Sequence, residues 1–280
     1  MTGEELEKAR GLSGATLLLA VMYVGAALAW MLALIVLLAV LSAVGVFSAE
    51  AAEGVVFNSV LTVLMISGLV LLAAMLARWN GADLATAFAW HRRAAAVLLV
   101  SMLAGLVYTP ASSWFVQFLT ERFEALDLSH LELIAGFLCE GPVPERLLFA
   151  VVVLLIAPVG EELVFRGFLW SALEQGSSRW IAWILTSLLF ALYHGDPLHI
   201  LAVLPLGLIL GWLRMVSGSI WPSIAVHFGN NAMAVLWTLY FGADADFDLS
   251  AWIGGASVLA SLSFLGCLRL FPSLRRDARE

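Results

Sequence analysis

Charge is what this sequence has least of. Only 12% of its 280 residues are Asp, Glu, Lys or Arg, whereas 62% are hydrophobic, and the mean hydropathy is +0.98. A soluble domain has about a quarter of its residues charged, so a soluble protein is excluded. The net charge of -7 argues against a nucleic-acid partner, which would require a basic surface. The composition indicates a membrane protein whose surroundings are lipid.

Cysteine and several catalytic motifs are also scarce or missing. The two cysteines, Cys139 and Cys267, are too few and too far apart for a disulfide framework or a thiolate zinc site. The HExxH motif of helical zinc peptidases does not occur, and no pair of aspartates lies within the apolar stretches. These absences exclude two familiar classes of membrane peptidase. They leave the cofactor question open, because a metal-free site and a site for zinc or another divalent ion both remain compatible with the sequence.

Long apolar stretches dominate what is present. Several are about 20 residues long, which is enough to cross the hydrocarbon core of a bilayer as a helix. We therefore expect an all-α, polytopic helical bundle of about eight transmembrane helices. The predicted spans are 13–46, 56–77, 94–109, 147–172, 180–195, 198–215, 219–241 and 251–271. In this division, residues 1–12 and 272–280 are tails and 13–271 form the transmembrane domain.

The basic residues predict how these spans are oriented. Arginine and lysine accumulate in cytoplasmic loops of membrane proteins. If the N-terminus is cytoplasmic, only Arg122 and Arg146 fall on the outer side, and Arg166 lies within a span. All the other bases then fall on the inner side, namely Lys8, Arg10, Arg78, Arg92, Arg93, Arg179, Arg214, Arg269, Arg275, Arg276 and Arg279. We expect both termini to be cytoplasmic.

The longest stretch between spans is predicted to lie outside the membrane. Within the segment 111–140, the aromatic residues Trp114, Phe115 and Phe118 fall near one helical face, opposite Gln117. This pattern is typical of an amphipathic helix in the membrane interface. A lid or spacer on the bundle and a substrate-binding element are both compatible with it.

Ionisable and amide side chains interrupt the later spans. An ionisable group within a span costs about 3 kcal/mol even on lenient insertion scales, so such groups usually face the bundle interior and have a function. The first three spans contain nothing comparable. The set comprises Glu161, Glu162, Arg166, His194, His227, Asn230 and Asn231. Any chemistry is therefore expected between the fourth and seventh spans.

Helical spacing assigns the two glutamates different roles. Glu162 and Arg166 are four residues apart with the acid first, which favours an ion pair on one face. Glu161 is rotated from Glu162 by about 100° around the helix axis. We infer that Arg166 neutralises and orients Glu162, whereas Glu161 remains available to accept a proton or hold a water. An ion pair with only a structural role is the competing interpretation.

Two further pairs share a helical face. His227 lies four residues before Asn231, and Phe190 lies four residues before His194. A carboxylate with one imidazole could activate a water, while the other imidazole and the amide stabilise an oxyanion. The amides Asn230 and Asn231 could instead connect helices by hydrogen bonds. Intramembrane carboxylate and histidine side chains are also compatible with a proton-coupled transporter.

Three motifs in this region resemble those of a known family. "EELVFRGFL" at 161–169 resembles an EExxxR motif, "SLLFALYHG" at 187–195 an FxxxH motif, and "LGLILGWLRMVSGSIWPSIAVHFGNN" at 206–231 a region ending in HxxxN. Together they resemble the CAAX-protease and bacteriocin-processing family of intramembrane proteases, also called ABI or Rce1-like. The resemblance covers about 145–241, the predicted protease core.

The resemblance implies an intramembrane endopeptidase that acts on a membrane-associated protein or peptide. We expect a location in the cytoplasmic (inner) membrane of a bacterium or archaeon. A non-proteolytic scaffold or immunity member of the same family is the alternative within the family. The sequence leaves the oligomeric state and the metal requirement open.

The resemblance also assigns roles to individual residues. Glu161 and His194 would activate the attacking water, and His227 and Asn231 would form the oxyanion site. Four residues would support this group, namely Glu162, Arg166, Phe190 and Asn230.

Overall fold

The protein is all-helical in the part that the structure describes. The computed structural model describes residues 3–242 and 251–268. Within these ranges the helices are α1 Gly3–Ala43, α2 Ala49–Glu53, α3 Val55–Trp79, α4 Leu84–Ala87, α5 Ala95–Arg122, α6 Ser129–Cys139, α7 Val143–Gly176, α8 Arg179–Leu192, α9 Pro197–Ser217, α10 Trp221–Phe241 and α11 Ala251–Leu268. The all-α prediction is confirmed. The predicted tail 272–280 lies outside the described residues, and α1 already begins within the predicted tail 1–12.

Six of the described helices are long and apolar enough to cross a membrane, which supports an integral membrane protein. They are α3, α5, α7, α9, α11 and the part of α1 from Leu17 to Ala43. The count of about eight spans is not confirmed. α8 has only 14 residues, about 21 Å of helix, and α10 is long enough but carries polar side chains of the candidate site. The orientation of the termini remains a prediction.

α5 extends beyond the predicted third span. It runs for 28 residues and includes Pro110, a residue that removes one helical hydrogen bond. The Ser257 hydroxyl of α11 bridges the next pair of backbone groups, because it accepts a hydrogen bond from the Ala111 N–H at 3.1 Å and donates one to the Val107 carbonyl. The predicted outer segment 111–140 therefore comprises the end of α5, a short connection and α6 rather than one helix.

α5 and α10 approach each other closely at two glycines. A Cβ added at Gly105 would lie 2.1 Å from the Val226 carbonyl oxygen, and one at Gly229 would lie 2.2 Å from that of Met102. Small residues let membrane helices pack backbone against backbone. This contact fixes the position of α10, and with it the neighbouring His227.

α7 contains two π-helical segments that were not predicted from the sequence. Val152–Ile156 and Leu163–Leu169 are π-helical, and the segment between them is α-helical. Pro158 follows the first π-helical segment. A proline within a helix disturbs the preceding turn because it lacks an N–H. Local π turns are frequent at functional sites. The second π-helical segment contains Arg166.

Candidate active site

α7 places three ionisable side chains in the protein interior. Glu162 and Arg166 are 0% exposed and Glu161 is 8% exposed. Buried charges are costly unless they are paired or hydrogen-bonded. The contacts of each side chain therefore indicate how its charge is tolerated, and they differ between the two glutamates.

Glu162 is bound from two sides. Its Oε1 accepts a hydrogen bond from Arg166 Nη1 at 3.0 Å, which is the ion pair predicted from the spacing. The same oxygen lies 3.2 Å from His227 Nδ1, so the imidazole donates to it from α10. Glu162 thus connects α7 to α10 and has a compensated charge.

Arg166 makes further contacts on its other side. Its Nη2 donates to the Gly207 carbonyl in α9 at 2.8 Å, and its guanidinium lies 4.4 Å from the centre of the Phe190 ring. The Ser187 hydroxyl of α8 donates to the same Gly207 carbonyl at 2.9 Å. These contacts fix the guanidinium, and through it the orientation of Glu162.

Glu161 has a different environment. Its Oε2 lies 3.8 Å from His227 Nε2, and among the described residues its carboxylate makes no hydrogen bond. It borders an apolar groove that includes Ile66, Phe165 and Tyr193. The two nitrogens of His227 therefore face two different carboxylates, one hydrogen-bonded and one not.

His194 lies just beyond the end of α8 and is oriented by its own backbone. Its Nδ1 is 2.9 Å from the Phe190 carbonyl oxygen. Because a carbonyl can only accept, Nδ1 carries the proton and Nε2 is the basic nitrogen. The Phe190 ring contacts His194 and His227 edge-on, with centroid distances of 5.1 and 5.7 Å. Phe190 thus lies between the two imidazoles.

Asn231 and Asn230 are one turn further along α10. Asn231 Nδ2 donates to the Val153 carbonyl of α7 at 3.0 Å. In this π-helical segment the Ala157 N–H donates to the Val152 carbonyl, five residues back. The next such bond would run from residue 158 to the Val153 carbonyl, but Pro158 has no N–H. Asn231 supplies this missing donor, and its Oδ1 accepts from Asn230 Nδ2 at 3.2 Å.

The predicted site residues thus fall into two groups. His227 and Asn231 both face α7, as their spacing predicts, but they contact different levels of that helix. The first group is one contact network of Glu161, Glu162, Arg166, Phe190, His194 and His227. The second group is the pair Asn230 and Asn231. Asn230 also accepts a hydrogen bond from Thr109 of α5, so part of its role is helix packing.

Sequence reasoning missed several members of this network. The charge distribution of the sequence places Arg214 among the cytoplasmic bases. In the structure it is only 3% exposed, and its Nε donates to the Arg166 carbonyl at 2.8 Å. Its position after the apolar run 206–213 was the available signal. Ser187 and the Gly207 carbonyl left no comparable signal, because neither residue type is unusual in a membrane helix.

The carboxylate and imidazole side chains of this site do not form a metal centre among the described residues. Among the described residues, no three His, Cys, Asp or Glu side chains are placed together as ligands of one ion. Glu162 Oε1 is already shared by Arg166 and His227.

The fold and site together define a helical membrane protein with a buried carboxylate–imidazole network. Residues 143–233, a third of the chain, match the family described as "Type II CAAX prenyl endopeptidase Rce1-like". This confirms the predicted resemblance over that region.

A single stretch also resembles a curated bacterial protein. Over 92 residues the chain is 27% identical to the protein named "Putative membrane peptidase YdiL" of Bacillus subtilis (strain 168). The aligned stretch covers 33% of this chain and 38% of that protein. No solved structure matches the chain.

Proposed function

We propose that the protein is an intramembrane endopeptidase that hydrolyses a peptide bond of a membrane-associated protein or peptide. The observation that carries this proposal is the difference between the two adjacent glutamates. Glu162 is hydrogen-bonded to Arg166 and His227, whereas Glu161 has a carboxylate without a hydrogen bond among the described residues, 3.8 Å from His227 Nε2. The match of residues 143–233 to a peptidase family supports the same reaction class.

The proposed reaction begins with a water held by Glu161 and His194. Glu161, or the basic Nε2 of His194, accepts a proton from the water, and the resulting hydroxide attacks the carbonyl carbon of the peptide bond. The tetrahedral intermediate carries a negative oxygen. When it collapses, the C–N bond breaks and the proton passes to the leaving amine. No covalent intermediate with the protein is required.

The negative oxygen would be stabilised by Asn231 and by His227, which must carry a hydrogen on Nε2 as well as the one on Nδ1 that is donated to Glu162. Hydrogen-bond donors directed at a developing oxyanion are typically worth about 3 kcal/mol each. Asn231 Nδ2 has two hydrogens, and the bond to Val153 uses one of them. Glu162 orients His227 through Nδ1, while Arg166 and Phe190 hold Glu162 and the imidazoles in place.

Cleavage by the purified protein tests the proposal. The protein is reconstituted in liposomes with membrane-tethered peptides, and products are identified by mass spectrometry. Glu161→Ala and His194→Ala should abolish cleavage, whereas Arg92→Gln, at an exposed loop position, should leave it unchanged. Undiminished cleavage by both site variants would overturn the assignment. Proton flux lost in Glu161→Gln, without any cleavage by the wild type, would favour the transporter alternative.

A further inference from the structure

A second polar site lies beside the candidate active site, toward the C-terminal ends of α7 and α9, and Arg214 borders both. The cavity has a volume of about 530 Å³, within the range of small-molecule sites. It is bordered by the last turns of α7 and α9 and by the loop before α5. Its lining includes the side chains of His91, Arg93, Glu174, Gln175 and Arg214.

One guanidinium of this cavity is built into the core. Arg214 is 3% exposed, its Nε donates to the Arg166 carbonyl at 2.8 Å and its Nη2 lies 3.5 Å from the Ser171 hydroxyl. Its guanidinium also lies 5.5 Å from the centre of the Trp170 ring. The position of this charge is therefore fixed before any ligand binds, which reduces the entropic cost of binding.

A second guanidinium reaches the cavity from a different element. Arg93 lies in the loop before α5, and its Nη2 donates to the Ser217 carbonyl at the end of α9. Guanidinium groups offer several N–H donors in a planar fork that matches the oxygens of phosphate. Two such groups beside one cavity favour a phosphate-bearing ligand.

The cavity also contains a carboxylate. Glu174 Oε2 accepts a hydrogen bond from Trp170 Nε1 at 2.9 Å, which holds the carboxylate at the last turn of α7. The two arginines and this glutamate give the lining an excess of positive charge. The charge balance therefore still favours an anion.

The position of the cavity indicates where such an anion would come from. The loop containing His91, Arg92 and Arg93 falls on the predicted cytoplasmic side, together with the ends of α7 and α9. Basic pockets between membrane helices on that side bind the head groups of phospholipids.

We propose that this cavity binds a phosphate group, that of a phospholipid head group on the predicted cytoplasmic face. The two guanidinium groups bind the phosphate oxygens, and the lipid tails extend into the surrounding bilayer. Free inorganic phosphate has the same recognition chemistry, so the test must separate the two sources. The proposal does not depend on peptidase activity, since its readout is binding.

Calorimetric titration of the full-length protein in a neutral detergent tests this proposal. The probes are dihexanoyl phosphatidylglycerol, dihexanoylglycerol without a phosphate, and inorganic phosphate. The phospholipid should bind the wild type, and dihexanoylglycerol should not. Arg93→Gln and Gln175→Glu should each weaken binding at least tenfold, whereas Arg92→Gln, at the adjacent exposed position, should leave it unchanged.

The variant Gln175→Glu keeps the test independent of any effect on folding. Arg93→Gln also removes the hydrogen bond to Ser217, but Gln175 is exposed and its change to Glu only adds a negative charge. Binding of inorganic phosphate with the same variant pattern would assign the site to a free anion. The proposal is overturned if neither phosphate-bearing probe binds saturably, or if both variants bind the probe as the wild type does.

Discussion

The imidazole of His227 lies between two carboxylates whose environments differ. On the Nδ1 side, Glu162 is paired with Arg166, and that guanidinium is held by the Gly207 carbonyl and the Phe190 ring. On the Nε2 side, Glu161 borders an apolar groove. At the scale of single residues, one acid is held in an ion pair, whereas the adjacent acid makes no hydrogen bond among the described residues, as its proposed role as a base requires.

The acid held in the ion pair leads to a stability prediction. Arg166→Met should lower the free energy of unfolding by about 3–5 kcal/mol, because it leaves Glu162 buried without its charge partner. In the double variant Glu162→Gln with Arg166→Met, the loss should be smaller than the sum of the single losses by at least about 1 kcal/mol. Chemical unfolding in detergent measures both values. Strict additivity would show that the pair contributes no coupling.

Part of this site could be predicted from residue spacing alone. The Glu162–Arg166 pair follows from a separation of four residues, and the structure contains it at 3.0 Å. The contacts between helices could not be predicted in this way. The bond from Asn231 to Val153 depends on a carbonyl left without a donor before Pro158, and that from Arg214 to Arg166 depends on how α9 packs against α7.

At the scale of the helices, α10 carries His227 and is positioned by α5. The two backbones approach so closely at Gly105 and Gly229 that neither position has space for a Cβ. The sequence shows these glycines but not which helix they face. For the same reason, the continuation of α5 past Pro110 could not be foreseen, since it depends on Ser257 of α11.

This contact predicts the effect of adding one methyl group. Gly229→Ala places a Cβ 2.2 Å from the Met102 carbonyl oxygen, so α10 must move away from α5. We expect a loss of about 1–3 kcal/mol in unfolding free energy, as for other overpacked sites, and lower cleavage because His227 shifts relative to Glu162.

Gly255→Ala is the matched control for this substitution. A Cβ at Gly255 of α11 meets nothing within 4 Å. Because alanine has the higher helix propensity, this change should be neutral or stabilising by up to about 1 kcal/mol. Equal thermal stability of the two variants would contradict the proposed role of the contact between α5 and α10.

At the scale of the whole molecule, the apolar helices establish a membrane protein, but they do not establish its orientation. Six described helices have the length and composition of spans, and the distribution of basic residues predicts that both termini are cytoplasmic. The short α8 and the polar α10 explain why counting apolar stretches gave about eight spans. His194, just after α8, and His227 of α10 both contact the Phe190 ring.

Labelling from one side of the membrane tests the orientation. In a background with Cys139→Ala and Cys267→Ala, a membrane-impermeant maleimide added outside intact cells should react with Arg122→Cys and not with Arg92→Cys. Both wild-type positions are exposed. After the cells are opened, both variants should react. The reverse pattern in intact cells would place the termini and the phosphate cavity on the outer side.

The most direct test of the central claim compares Glu161→Gln with the wild type in peptide cleavage. The substitution keeps the shape of the side chain but replaces a carboxylate that can accept a proton with a neutral amide that cannot. We predict a fall in kcat/KM of about a hundredfold or more, with an unchanged unfolding transition, because this carboxylate makes no hydrogen bond among the described residues. Cleavage at the wild-type rate by a folded Glu161→Gln protein would contradict the account.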